Sequence, residues 1–363
     1  MNVLSKVLFI LFCIPNAHSI KLVLMINPKS QVKLDADISA LAGRRFRFSD
    51  ELIGYKGLIK YKEKVIPLKF KIHGDLDSHW RELNRSYSVK LQKGFSLMEM
   101  REFSIIRFED KYGNYEVLGQ HISKELGLLY RKVIPVDLKV NRNKPAKYLL
   151  YEKIIPDALE HNGTTGSFII SFNNAWKTAI SKKNSIIKLP YIQKEVSDNK
   201  ITLSPTNYKI RPKPNSSKIM QIWKKFLNQP SYVYVNKNDF YKYLTIVALT
   251  GSVHSVLPDN LRWNYKPWIG KFSPIYYDTI PRPTKINIEE FIAEICRMNY
   301  LLEILLKQVN SKELSIAINR NLNSLGSKIH KNLVEGHFIK KVSGTKSNIL
   351  YENVNTIKKW LNE

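Results

Sequence analysis

From Ile20 to about Glu152 the chain is patterned for strands. Val65, Leu68, Phe70 and Ile72 form an apolar row broken only by Pro67, and Tyr87, Val89 and Leu91 alternate with Ser86, Ser88 and Lys90. Period-two alternation marks a half-buried sheet, so Lys90 is expected on the face opposite the apolar row. One helix is predicted over Tyr115–Leu126, with Val117, Leu118, His121, Ile122 and Leu126 on one face and Gly127 as its stop. Two strands follow, Lys132–Val140 and Lys147–Ile154, joined by a turn at Asn141–Pro145. Beyond Asp239 the period lengthens. Phe240–Leu249 is apolar on one face, and Ile288–Val309 carries Ile288, Phe291, Ile292, Ile295, Leu301, Leu302, Leu305 and Leu306 on a single stripe. Asn287 and Glu290 are placed to form a capping box for that long helix. Two or three shorter helices are expected after Ser311. A strand-rich part (20–155) joined to a helix-rich part (156–363) predicts a two-lobed α+β domain with a cleft between the lobes.

The first nineteen residues are set apart from this pattern. Met1–Lys6 is short and basic, Val7–Ile14 is apolar, and Ala17-His18-Ser19 supplies small residues at a cleavage position. The expectation is a signal peptide over 1–19 and an exported or envelope protein. The apolar run is too short to span a bilayer, and no later stretch is uncharged enough to serve. Cys13 lies within that signal and Cys296 stands alone, so no intramolecular disulfide is expected after its removal.

Charge adds a partner clue. The 363 residues hold 58 Lys and Arg against 31 Asp and Glu, a net +27. Such an excess points to polyanionic partners and says nothing about fold. Within 177–225 twelve basic residues face two acids, with Pro190, Pro205, Pro212 and Pro214 interspersed. This is read as a surface excursion, either simply solvated or a docking surface for a polyanion. Export makes nucleic acid an unexpected partner, and acidic polysaccharide a better one.

Three constellations could carry chemistry. The run from Gly251 through His254, Asp259 and Asn260 to Tyr265, followed by Pro274–Asp278, places amide and carboxylate oxygens around a hairpin turning at Pro267–Gly270. Asn260 and Asp278 suit a hard cation shared with nucleotide phosphates, and equally suit a turn cap and a loop entry. Lys90 is a strand-borne cation of the kind that contacts phosphates. Asp75-Leu76-Asp77, beside His79 and Trp80, resembles the metal-binding carboxylate pair of sugar transferases. No Gly-x-Ser-x-Gly, Walker loop or dinucleotide fingerprint occurs.

The blocks Phe70-Lys71-Ile72-His73-Gly74-Asp75, Arg85–Leu91, Glu125–Gly127, Val136–Asn141, Tyr148–Glu152 and His254–Asp278 occur in an order and spacing that resembles the CotH spore-coat kinase family over about residues 65–280. The resemblance implies an atypical bilobal protein-kinase-like fold and ATP-dependent phosphate transfer, with Mg²⁺ or Mn²⁺, to Ser/Thr hydroxyls of an envelope or secreted protein. It implies that Lys90 contacts phosphates, that Asn260 and Asp278 hold the metal, and that Gly74 and Asp75 belong to the turn over the nucleotide. Glu152 then ends the hinge strand and supports the cleft, and Asp259 either is the base or only replaces an Asn, which would cripple the site. Two departures stand out: His254 occupies the position of the family's catalytic Asp, and His73 replaces a Lys or Arg. The alternative is a non-catalytic basic envelope protein that binds anionic polysaccharide or aids surface assembly.

Overall fold

A computed structural model describes residues 20–41, 54–74, 79–80, 84–109, 113–154, 156–172, 208–211, 218–257, 260–277 and 288–334. The chain divides into two compact units: residues 18–113 with 131–161, and residues 114–130 with 162–363.

The first unit is a closed barrel. Its strands are β1 (Ile20–Ile26), β2 (Tyr55–Tyr61), β3 (Lys64–Ile72), β4 (Tyr87–Leu91), β5 (Glu102–Arg107), β6 (Val133–Val140) and β7 (Ala146–Glu152), in the order β1-β2-β3-β4-β5-β7-β6. All neighbours are antiparallel except β1 and β6, whose parallel pairing from Ile20↔Val136 to Leu24↔Val140 closes the sheet on itself. Alternate residues point inward and form one apolar core, including Leu24, Ile59, Phe70, Val89, Phe103 and Leu150. The rings of Tyr55, Phe70 and Tyr87 stack in sequence with centroids 5.5 and 5.7 Å apart. Gly57 makes room for them: a Cβ there would sit 3.0 Å from the Met25 carbonyl oxygen and 3.3 Å from the Phe70 ring. Helix α1 (Pro28–Ser39) starts on Asn27, whose side chain accepts the Ser30 N–H, and it contributes Leu34 to the core. Trp80 is also buried in this core. At the barrel's end, α3 (Pro156–His161) follows β7.

The second unit takes in α2 (Gly113–Glu125) and a four-stranded antiparallel sheet of order β11-β10-β8-β9, built from β8 (Phe168–Phe172), β9 (Tyr208–Arg211), β10 (Arg262–Lys266) and β11 (Lys271–Ile275). Helices α4 (Lys218–Asn228), α5 (Lys237–Thr250), α6 (Ile288–Met298), α7 (Tyr300–Lys307) and α8 (Ser311–Val334) complete it. Trp223, Phe226, Trp263 and Phe272 form an aromatic nucleus with centroid separations of 5.2 to 6.4 Å. Helix α5 is buried on nearly every side rather than on one face. Two contacts between α5 and α8, Lys237 with Glu313 and Thr245 with Asn321, join residues 76 apart in both cases, so these helices run parallel and in step.

This architecture corrects the fold expected from the sequence. A closed seven-stranded barrel, a separate small sheet and, among the described residues, eight helices do not resemble a bilobal kinase-like fold. Alternation identified the strands but carries no information on closure, which depends on β1 meeting β6 more than a hundred residues later in the chain. The long helix over Ile288–Val309 is corrected too. It breaks at Asn299, whose side chain accepts the Leu301 and Leu302 N–H groups to start α7 afresh. The shorter helices expected after Ser311 are, through Val334, the single helix α8. The signal over 1–19, Asn287, and most of the basic excursion lie outside the described residues.

Candidate functional site

The outer face of the barrel is where the excess of base becomes structured. On β4 the inward positions are Tyr87, Val89 and Leu91, which leaves Lys90 outward and exposed. On β3 the same parity leaves Lys69 and Lys71 outward, and on β2 it leaves Lys56 and Lys60. Register then decides which of these meet. Lys56 pairs with Lys69, and Lys69 pairs with Lys90, so three lysines lie directly opposite one another across three strands. Adjacent strands are about 4.8 Å apart, so the row is a ladder of positive charge running across the sheet. Like charges in directly opposed positions disfavour a sheet, by on the order of 1 kcal/mol per pair in water. At the end of the row Lys90 is answered by Glu102 on β5, Nζ to Oε1 at 2.6 Å. Among the described residues Lys56 and Lys69 have no acidic partner. Leu58 and Val65, 39% and 46% exposed, lie on the same face, Leu58 two residues and Val65 four residues along their strands from the row.

Glu152 occupies the barrel's end. It is 1% exposed, and its Oε2 accepts the Lys132 N–H at 3.0 Å while Oε1 lies 3.4 Å from His161 Nδ1. Burial pushes its pKa up to about 7, against the opposing pull of the Lys132 N–H and the charges of Lys132 and Arg131, while Asp157 adds to the rise. Around it, Arg101 grips Asp157 through both carboxylate oxygens, Nε to Oδ2 at 2.6 Å, and Lys132 Nζ meets Glu99 at 2.5 Å. Glu152 therefore ties β7 to the chain entering β6.

In the second unit the loop bearing His254 and Asn260 is held from several sides. Gly251, at φ 61°, ends α5 in the left-handed conformation that glycine adopts without strain. A short 3₁₀ turn (Val253–Val256) follows, with the Tyr243 hydroxyl donating to the Ser255 carbonyl at 2.9 Å and Asn299 Nδ2 to the Val256 carbonyl at 2.6 Å. Asn260 is 9% exposed, and its Nδ2 donates to the His254 carbonyl at 3.1 Å and lies 3.1 Å from His254 Nδ1. Its Oδ1 makes no hydrogen bond among the described residues. The hairpin anticipated at Pro267–Gly270 joins β10 to β11.

Of the residues singled out from sequence, Lys90 and Glu152 share the barrel unit and His254 and Asn260 share the second; Asp75, Asp259 and Asp278 lie outside the described residues. Gly74 takes φ 76°, and a Cβ there would overlap the His79 ring. His79, beside the proposed sugar-transferase turn, and His73 bond to Ser86 and Ser88 and pack edge to face, so both histidines serve the barrel wall. No group of three or more His, Cys, Asp or Glu among the described residues could hold a metal ion. Of the two metal ligands implied by resemblance, Asn260 presents a suitable oxygen. No described helix is long and apolar enough to cross a membrane. Lys56 and Lys69 were missed from sequence: their polar parity is legible there, but their opposition needs the strand register.

Comparison with protein-family models gives no match, and comparison with curated proteins gives none.

Proposed function

We propose that this protein binds an acidic polysaccharide along the outer face of β2, β3 and β4. The observation that carries the reading is the register Lys56–Lys69–Lys90. A row of cations repeating across the sheet suits a linear polymer with an acid on each unit better than it suits an isolated anion. The exposed Leu58 and Val65 supply apolar contact for the carbon faces of sugar rings. Binding carried by exposed lysines is salt-sensitive. The test is titration with a polyuronate and with a neutral polysaccharide at two salt concentrations. The double variant Lys56→Ala, Lys69→Ala is expected to bind the polyuronate about tenfold more weakly, from roughly half to one kcal/mol per lost contact. An unchanged affinity would sink the reading.

A second reading, phosphate transfer from a nucleotide, is favoured by the Asn260 oxygen, which makes no hydrogen bond among the described residues, and by the order of the CotH-like blocks. Asn260 would hold the metal, which would supply charge neutralisation when bound. Under this reading ATP with magnesium raises the melting temperature of the intact chain, and Asn260→Ala removes the shift. A melting curve that ATP and either magnesium or manganese leave unmoved rejects it.

A further inference from the structure

The hairpin that joins β10 to β11 ends in an apolar apex. Its turn runs Lys266-Pro267-Trp268-Ile269-Gly270-Lys271 and is closed by the Ile269 and Gly270 N–H groups, which donate to the Lys266 carbonyl at 3.2 and 2.9 Å. Gly270 takes φ 65°, a conformation that other residues resist, so the turn has a defined shape. At its tip Trp268 is 57% exposed and Ile269 45%. A third apolar side chain joins them. Lys271 Nζ donates to the Tyr232 carbonyl at 2.9 Å and the Phe272 N–H to the Tyr234 carbonyl at 2.7 Å, so Val233, 73% exposed, is held against the same end of β11. Of the eight large hydrophobic side chains exposed among the described residues, three therefore gather at one end of one sheet. Single exposed apolar residues need no partner, whereas a gathered group marks an interaction surface.

Cations stand directly behind this apex. Lys266 and Lys271 are opposed in the last pair of the ladder, an arrangement that a hairpin disfavours. Lys271 is satisfied by a neutral carbonyl, and Lys266 shares Asp239 with Lys242, Nζ to carboxylate oxygen at 3.1 and 3.8 Å, so these three lysines have one acid between them. From Arg262 to Ile275 the chain holds no acid. Helix α4, which precedes the turn bearing Val233, carries Lys218, Lys224 and Lys225 and no acid either.

We propose that this apex inserts into the surface of an anionic lipid bilayer. The order of groups along the hairpin is the order of a bilayer interface. Ile269 and Val233 meet the acyl boundary, the Trp268 indole, apolar in body with one N–H, sits at the headgroup level, and Lys266 and Lys271 lie behind it for the lipid phosphates. A convex apolar tip encloses no small ligand, but it can enter a deformable interface. The apex belongs to the second unit and shares no residue with the lysine ladder of the first.

The test is co-sedimentation of the full chain with vesicles of phosphatidylcholine and with vesicles of equimolar phosphatidylcholine and phosphatidylglycerol. The chain should bind the anionic vesicles more tightly, and the double variant Trp268→Ala, Ile269→Ala should bind them about tenfold more weakly. Both side chains project from a turn tip, so the variant should fold; circular dichroism checks that it does. Ile316→Ala, which removes an exposed apolar side chain from α8, should bind as wild type does. The tip variant should also keep full affinity for the polyuronate, which separates this surface from the ladder. Equal vesicle binding by wild type and the tip variant would mean adsorption by charge alone and overturns the proposal, as does equal binding to the two kinds of vesicle or binding to neither. Loss of polyuronate affinity in the tip variant would make the apex a sugar contact, and a wild-type dimer that the tip variant abolishes in sedimentation velocity would make it a contact between copies; either overturns it.

Discussion

Glu152 shows how far a single residue can depart from what its neighbours in sequence suggest. The alternation of β7 places it on the inward parity with Tyr148 and Leu150, but only the barrel's end explains why a carboxylate can be 1% exposed there. With its pKa raised from 4.5 to about 7, the folded chain keeps a proton that the unfolded chain loses first. Stability contributed by this group is therefore full below about pH 4.5 and falls as pH rises toward 7. Urea denaturation of wild type against Glu152→Gln, at pH 5 and pH 8, isolates the effect. The Gln variant should gain on wild type by about 2 kcal/mol over that interval, since each tenfold difference in proton affinity between folded and unfolded chains is worth about 1.4 kcal/mol and neighbouring charges rearrange. An equal pH dependence in the two proteins would mean that Glu152 is ionised in the folded state. Asp35 and Asp157, whose carboxyls are held below their ordinary values, act in a lower window: their contribution is lost only as pH falls below about 4. Lys90 is the opposite case, since alternation alone gave its outward direction, while its neighbours Lys69 and Glu102 could not be read without register.

At the scale of elements, the break between α6 and α7 is the instructive miss. The stripe Phe291, Ile295, Leu302, Leu305 keeps helical spacing straight through it, and those side chains are indeed buried. Hydrophobic periodicity is blind to Asn299, which ends one helix and begins the next because its short amide competes with the backbone for hydrogen bonds. The same side chain donates to the Val256 carbonyl and so fixes the turn that carries His254. Asn299→Ala removes a cap and leaves a carbonyl without its partner, for a cost of about 2 to 3 kcal/mol. Asn299→Asp keeps the acceptor for the Leu301 and Leu302 N–H groups and loses only the donor. It should be less destabilised than the Ala variant in urea; the reverse order would show that the Val256 contact matters more than the cap. The strands, by contrast, were legible as elements: β3 and β4 bury alternate residues, and β7 reads as an apolar run buried continuously from Tyr148 to Glu152. Their closure was not, because it is a long-range property of β1.

For the whole molecule, the question is whether net charge or arrangement makes a polyanion surface. Some lysines on the barrel wall are answered by an acid: Lys147 lies opposite Asp137, and Lys90 opposite Glu102. Lys56 and Lys69 face only each other and Lys90. If the overall +27 alone drew the polymer, any two exposed lysines would be equivalent, since long-range steering responds to total charge and is screened within about a Debye length. If the ladder binds it, position decides. The pair Lys139→Ala, Lys147→Ala removes the same two charges from exposed sites on β6 and β7, where no lysine row exists. It should retain polyuronate affinity within about twofold, with any loss in the association rate, whereas Lys56→Ala, Lys69→Ala should bind about tenfold more weakly and show a shallower dependence on salt. Surface plasmon resonance across a salt series measures both rates at once. Equal losses in the two variants would return the effect to net charge and leave the strand register without a binding role.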